Sequence, residues 1–218
     1  MRLIRPAIII LFGLLPAGLF FWWSFQGCRL PAVMLPEVLY VPDGWRPLWN
    51  LFLFCTFGML HSGLAEVGIN RLVYMVIAGL TALAVIALWQ PVSGELWQLG
   101  GATVARWFGA VQFVLWLALH GWIIHEMGVM EFFGFRNPLP RLVTSGPYAF
   151  CRHPMHANIL LALLVTPVMT ADRLTMLLAV SLYLVAAIPL EEARLQDEYL
   201  MAWDAYAQRT PMLIPGVL

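Results

Sequence analysis

Long runs with almost no charged residues recur along this chain and restrict the folds that it can adopt. Four of them, at residues 3–23, 48–64, 72–89 and 107–124, approach the roughly 20 residues that a helix needs to cross a hydrocarbon core. The chain is 61% hydrophobic and only 11% charged, where soluble proteins average about 25% charged residues. Inside a bilayer, helices satisfy their own backbone hydrogen bonds. We therefore predict an all-α, polytopic integral membrane protein.

Two further apolar segments, at residues 156–169 and 174–190, are separated by only four residues. They predict a helical hairpin as the last two of about six transmembrane helices. From Glu191 onward the chain turns polar, and apolar residues at spacings of three and four predict a C-terminal cytoplasmic amphipathic helix. We expect a single domain, 1–218, with N-terminal helices in 1–135 and a polar loop, the hairpin and the last helix in 136–218.

The basic residues predict the orientation. With six crossings and a cytoplasmic N-terminus, eight arginines fall on the inner side and four on the outer side. The positive-inside rule then places both the polar loop and the C-terminal helix in the cytoplasm.

Several function classes lose support. All twelve basic residues are arginine, which excludes a lysine Schiff base, and a net charge of zero gives no support to nucleic-acid binding. The three cysteines lack CxxC spacing, and His120 and His125 fall on different helix faces, so we predict no metal site.

Residues 145–154 form the main polar stretch between apolar segments. Arg152 and His153 lie within it, and Glu191 and Glu192 follow the hairpin. Because a hairpin returns to the face where it began, the arginine and a carboxylate are expected to meet, with Arg152 and His153 facing a cavity shared with the C-terminal helix. Such a pair fits either a catalytic role or a structural clamp.

The order of motifs resembles the isoprenylcysteine carboxyl methyltransferase superfamily, which includes phospholipid methyltransferases, NnrU-type proteins and methanethiol S-methyltransferases. The resemblance rests on Leu-Val-Thr-Ser-Gly-Pro-Tyr at 142–148, Arg-His-Pro at 152–154, the paired glutamates and Thr-Pro-Met-Leu-Ile-Pro at 210–215. Upstream, Leu-His-Ser at 60–62, Leu-Trp-Gln-Pro at 88–91 and Phe-Phe-Gly-Phe-Arg at 132–136 resemble the methanethiol S-methyltransferase-like branch.

The resemblance implies a membrane methyltransferase that uses S-adenosylmethionine and needs no metal. By position, it implies cofactor-binding roles for Gly146, Pro147, Tyr148, Arg152, His153, Pro154, His156, Glu192 and Tyr206. His156 departs from the tyrosine that is usual in the superfamily. Arg152, Glu191 and Glu192 are the candidate catalytic residues, with Arg152 favouring an anionic acceptor and a glutamate accepting a proton or binding the donor's ammonium group.

The resemblance leaves the acceptor open. It favours a small thiol over a prenylcysteine carboxylate or a phospholipid amine. A non-catalytic NnrU-like accessory protein or transporter is the alternative of a different class. The expected location is the bacterial inner membrane, with membrane lipid as a neighbour and the active site facing the cytoplasm.

Overall fold

The computed structural model describes residues 4–25, 28, 40–133, 135 and 141–214. Most of these residues are helical. In chain order the elements are α1 (Ile4–Ile8), a π-helical stretch (Ile9–Leu14), α2 (Leu15–Phe25), a 3₁₀ turn (Asp43–Trp45), α3 (Arg46–Glu66), α4 (Arg71–Leu88), β1 (Glu95–Gln98), α5 (Ala102–Met127), α6 (Val129–Phe132), a second 3₁₀ turn (Gly146–Ala149), α7 (Pro154–Leu164), β2 (Val168–Thr170), α8 (Ala171–Tyr199) and α9 (Met201–Ala207).

Within this described part, four helices are long and apolar enough to cross a membrane. They are Pro6–Ser24, Arg71–Leu88, Ala102–Met127 and Ala171–Tyr199. Helix α3 has 21 residues but does not join them, since it carries Asn50, His61 and Ser62 among its apolar residues. Helix α7 has 11 residues, which rise about 16 Å, roughly half a hydrocarbon core. The helical membrane fold is confirmed, whereas the count of six crossings is not.

The structure also contains a small sheet that the all-helical prediction missed. Strand β1 pairs antiparallel with β2, and Trp97 lies opposite Met169. The apolar segment 156–169 predicts a helix that extends into β2. Pro167 explains this error, because the residue before a proline disfavours helical backbone, and α7 ends at Leu164.

Buried polar contacts fix the closed end of the α7–α8 hairpin. Asp172 is 1% exposed, and its Oδ1 accepts hydrogen bonds from the Trp89 indole at 3.0 Å and the Val92 amide at 2.8 Å. The Thr170 hydroxyl accepts a bond from the Arg173 amide and so caps the start of α8. The hairpin is thereby joined to the end of α4.

Helix α8 continues without a break past the position where a new helix was expected. It spans 29 residues and contains Pro189, a residue that helices in membranes tolerate. The predicted boundary at Glu191 is therefore wrong. The chain changes direction instead at Leu200, a non-glycine residue with a φ of 48°, and the expected C-terminal helix is divided between the end of α8 and α9.

Helices α3 and α8 pack closely against each other inside the protein. A Cβ added to Gly58 would lie 2.3 Å from the Tyr183 ring, so only glycine leaves room for that ring against α3. The phenol then reaches Ser62, with 2.7 Å between the two hydroxyl oxygens. Polar groups of two distant helices consequently meet inside the bundle.

Candidate active site

The loop that precedes α7 has a defined and partly buried backbone. Gly146 has a φ of +60°, and Pro147 is buried in the 3₁₀ turn. The Ser145 hydroxyl donates to Glu126 Oε2 at 2.6 Å, which connects the loop to the end of α5. A side chain at position 146 would collide with this contact, because an added Cβ would lie 2.7 Å from Glu126 Oε1.

We expect Gly146→Ala to lower the free energy of unfolding by about 1–3 kcal/mol, since it combines a left-handed backbone with a steric collision. Thermal unfolding of the purified protein in detergent measures the change. Gly109→Ala is the control, because Gly109 lies within α5 and an added Cβ there meets nothing within 4 Å. The same substitution at that position is expected to be neutral or slightly stabilising. Equal losses at both positions would contradict the role given to Gly146.

The loop is joined to the C-terminal segment by backbone hydrogen bonds. The Arg152 amide donates to Pro211 O at 2.8 Å, and the His153 amide donates to Met212 O at 3.1 Å. The Tyr206 hydroxyl donates to the backbone carbonyl of Tyr148 at 2.7 Å. Burial raises the pKa of both phenols above their usual value, so both stay protonated. The loop and α9 therefore form one unit.

Arg152 and Glu192 form the ion pair that the sequence analysis expected. Nε and Nη2 of the guanidinium donate to the two Glu192 oxygens at 2.7 and 3.2 Å. Nη1 donates to the carbonyls of Ala207 and Thr210 at 3.1 and 2.7 Å. All three guanidinium nitrogens are thus bonded within the protein, and the pair holds α8, α9 and the loop together.

His153 lies between the two glutamates. Its side chain is 3% exposed, with Nε2 at 2.9 Å from Glu192 Oε1 and Nδ1 at 3.6 Å from Glu191 Oε2. Burial lowers the pKa of His153, and the two nearby carboxylates only partly oppose this effect, so the imidazole is neutral at pH 7. Because Glu192 can only accept, the neutral ring donates through Nε2 and keeps a lone pair on Nδ1.

A cavity of about 200 Å³ lies next to this cluster. Its lining residues come from α3, α4, α7 and α8: His61, Ser62, Tyr74, His156, Tyr183, Ala187, Glu191 and Arg194. Of the residues proposed from the sequence, the structure brings His156 and Glu191 to the cavity. Arg152 and His153 are not among its lining residues, so the expectation that they face a cavity is corrected to their neighbours His156 and Glu191.

Most residues of the cavity wall were not among the site residues predicted from the sequence. Tyr183, Ala187, Glu191 and Arg194 follow one another at spacings of four, four and three, so they share one face of α8. That spacing is a signal that the sequence does contain. No spacing pattern in the sequence links Tyr74 to the cavity. Its hydroxyl oxygen lies 3.0 Å from His61 Nε2 because α3 packs on α4.

Comparison with known proteins identifies membrane methyltransferases as relatives of this chain. The phospholipid methyltransferase family model matches residues 104–201, which include the loop, the hairpin and both glutamates. Methanethiol S-methyltransferase 2 of Bradyrhizobium diazoefficiens is 30% identical over 77% of this chain and 73% of its own length. The methanethiol S-methyltransferase of Pseudomonas deceptionensis is 26% identical over 89% and 77%, and that of Mycobacterium tuberculosis 25% identical over 88% and 87%.

No solved structure matches the chain. The match with the Bradyrhizobium enzyme nevertheless covers about three quarters of each protein. The chain therefore belongs to the methanethiol S-methyltransferase family of membrane methyltransferases.

Proposed function

We propose that this protein transfers a methyl group from S-adenosylmethionine to a small thiol in the cavity beside Glu191. The observation that carries the proposal is the cavity itself. At about 200 Å³ it is smaller than the roughly 300–1,000 Å³ of pockets for drug-sized ligands. The names of the relatives, which specify methanethiol, point to the same class of acceptor.

The residues present fit the proposed cofactor. S-adenosylmethionine carries an ammonium group and a sulfonium, and the Glu191 carboxylate, 39% exposed, is available to a cation from outside the protein. Gly146, Pro147, Tyr148, Pro154 and Tyr206 would form the remaining wall, next to His153 and His156. When bound, the cofactor supplies an electrophilic methyl group on its sulfonium. The protein then has to orient the acceptor and exclude water.

Glu191 and Glu192 differ in their exposure and in the side chains to which they are bonded. Glu192 is 19% exposed and is bonded to both Arg152 and His153, so we assign it a positioning role together with Arg152. Glu191 lines the cavity and is the group that we propose accepts the thiol proton. Arg194, on the same wall, contributes the positive charge that favours a thiolate.

The expected result with purified protein is methylation of methanethiol to dimethyl sulfide, detected by gas chromatography. Ethanethiol should react more slowly, and a farnesylcysteine carboxylate not at all, because it exceeds the cavity. Calorimetry with S-adenosylhomocysteine tests cofactor binding separately. Methylation of the prenylcysteine alone would overturn the assignment of a thiol acceptor, and absence of cofactor binding would favour a non-catalytic NnrU-like accessory protein or transporter.

A second acceptor class, the amine of a phospholipid, is supported by one specific observation. A largely apolar groove of about 780 Å³ lies between α5 and α7, lined by residues such as Trp107, Phe108 and Leu161. A groove of that size suits a lipid chain. Including phosphatidylethanolamine vesicles in the same assay separates the two classes, since methylated lipid without dimethyl sulfide would identify the phospholipid amine as the acceptor.

We further propose that the site faces the cytoplasm of a bacterial inner membrane. In the arrangement with six crossings, eight arginines lie on the inner side and four on the outer side, and this excess supports the orientation. Cysteine labelling with an impermeant reagent tests it: a cysteine introduced at exposed Asp197 should react in inverted vesicles and stay protected in intact cells.

A further inference from the structure

Three metal-ligating side chains converge beside the cavity. One potential ligand atom from each of His153, His156 and Glu191 lies within 4.8 Å of the other two. Zinc with ligands at about 2.0–2.1 Å holds neighbouring ligand atoms roughly 3.3 Å apart. The 3.6 Å between His153 Nδ1 and Glu191 Oε2 is already near that value.

Contacts around the cluster place His153 against both glutamates. Its Nε2 lies 2.9 Å from Glu192 Oε1, and its Nδ1 faces an oxygen of Glu191. A carboxylate behind a histidine is also the usual support of a metal-bound imidazole. Nδ1 of His156 is buried and has no hydrogen-bond partner among the described residues. A cation placed between the three residues would contact one ring nitrogen of each histidine and an oxygen of Glu191.

From this geometry we propose that His153, His156 and Glu191 bind a zinc ion that activates the acceptor thiol. Two imidazoles and one carboxylate are a ligand set of catalytic zinc, and they leave a fourth position for substrate. His156 and Glu191 also line the cavity, so that position opens to the acceptor. This inference rests on the proposed function, because the role given to the ion is to hold the acceptor thiol as a thiolate.

The charges favour an anionic fourth ligand. Arg152 neutralises Glu192, and zinc with Glu191 alone carries a net charge of +1. Coordination deprotonates a thiol: the S–H proton passes to the oxygen of Glu191 that is not bound to zinc, and from there to water. The sulfur lone pair then forms the new S–CH₃ bond while the methyl–sulfonium bond breaks. Its electron pair remains on the donor sulfur, and the neutral sulfide product leaves the metal.

The test is metal binding by the purified full chain in detergent, measured independently of activity. After chelation, we expect one equivalent of zinc or cobalt to bind, and the absorption of the cobalt form to gain a sulfur-to-metal charge-transfer band when methanethiol is added. His156→Ala and Glu191→Gln should each weaken binding at least tenfold. His125→Ala is the matched control, because this exposed histidine lies outside the cluster.

The outcomes separate this inference from the proposed function. Full thiol methylation by metal-free protein, or unchanged zinc binding in a His156→Ala/Glu191→Gln double variant, would overturn the zinc site and leave the methyltransferase proposal intact. Zinc binding through the cluster without methylation of any thiol would overturn the proposed function, and with it the activating role of the metal. Size-exclusion profiles of the variants show whether each remains folded.

Discussion

Replacing Glu192 with alanine is expected to lower the free energy of unfolding by about 3 kcal/mol and to abolish cofactor binding. Removing one partner of a buried ion pair costs about 3–5 kcal/mol, because the other charge is left uncompensated. Arg152 is 13% exposed and retains two carbonyl acceptors, so we expect the lower end of that range. Unfolding in detergent measures stability, and calorimetry with S-adenosylhomocysteine measures binding.

Two further variants separate the lost charge from the lost geometry. Asp197→Ala removes an exposed carboxylate from the same helix and should leave stability within about 0.5 kcal/mol of the parent. Arg152→Met combined with Glu192→Met removes both charges and should recover most of the stability. Cofactor binding should stay absent, because His153 has lost its anchor. Recovery of binding in the double variant would show that the pair is a structural clamp alone.

The pairing across the hairpin could be predicted from the sequence because topology determines it. A hairpin of any moderate length returns Glu191 and Glu192 to the face where Arg152 begins, and the structure has the bond at 2.7 Å. The partner of each glutamate could not be predicted, because the two neighbours point in different directions from one helix. Their roles diverge for that reason: one is bonded to the arginine, and the other reaches the cavity.

The cavity itself depends on packing that spacing along one helix does not reveal. Tyr74 and Ser62 lie 109 and 121 residues upstream of Tyr183, and Ser62 meets α8 because Gly58 lets the Tyr183 ring approach α3. The three metal-ligating residues illustrate the same difficulty. Spacing shows whether two histidines on one helix share a face and could bind the same metal ion. A cluster formed by His153, His156 and Glu191 cannot be recognised until the fold is known.

The fold was predictable where one physical effect dominates. Apolar length alone identifies α4, α5 and the apolar part of α8. It fails at Glu191, because a change from apolar to polar residues marks where the helix leaves the apolar environment, while the backbone continues as a helix to Tyr199. It also fails for β1 and β2, since strands of four and three residues leave almost no pattern of their own.

Filling the cavity is expected to remove acceptor methylation while cofactor binding persists. Ala187 is 7% exposed and lies on the cavity wall between Tyr183 and Glu191. A leucine there adds three carbons to a space of about 200 Å³, and accommodating a thiol alongside them would cost about 1–3 kcal/mol. This corresponds to a loss of roughly 5- to 150-fold in kcat/KM for methanethiol, measured as dimethyl sulfide formed.

A neighbouring alanine supplies the control for this prediction. Ala186 is exposed on the same helix, so Ala186→Leu adds the same three carbons to the outer surface and should leave kcat/KM unchanged. The Ala187→Leu variant should still bind S-adenosylhomocysteine with the parent affinity, because the loop and α9 are untouched. If methylation persists at the parent rate in Ala187→Leu, the acceptor binds elsewhere, and the apolar groove between α5 and α7 becomes the site to test.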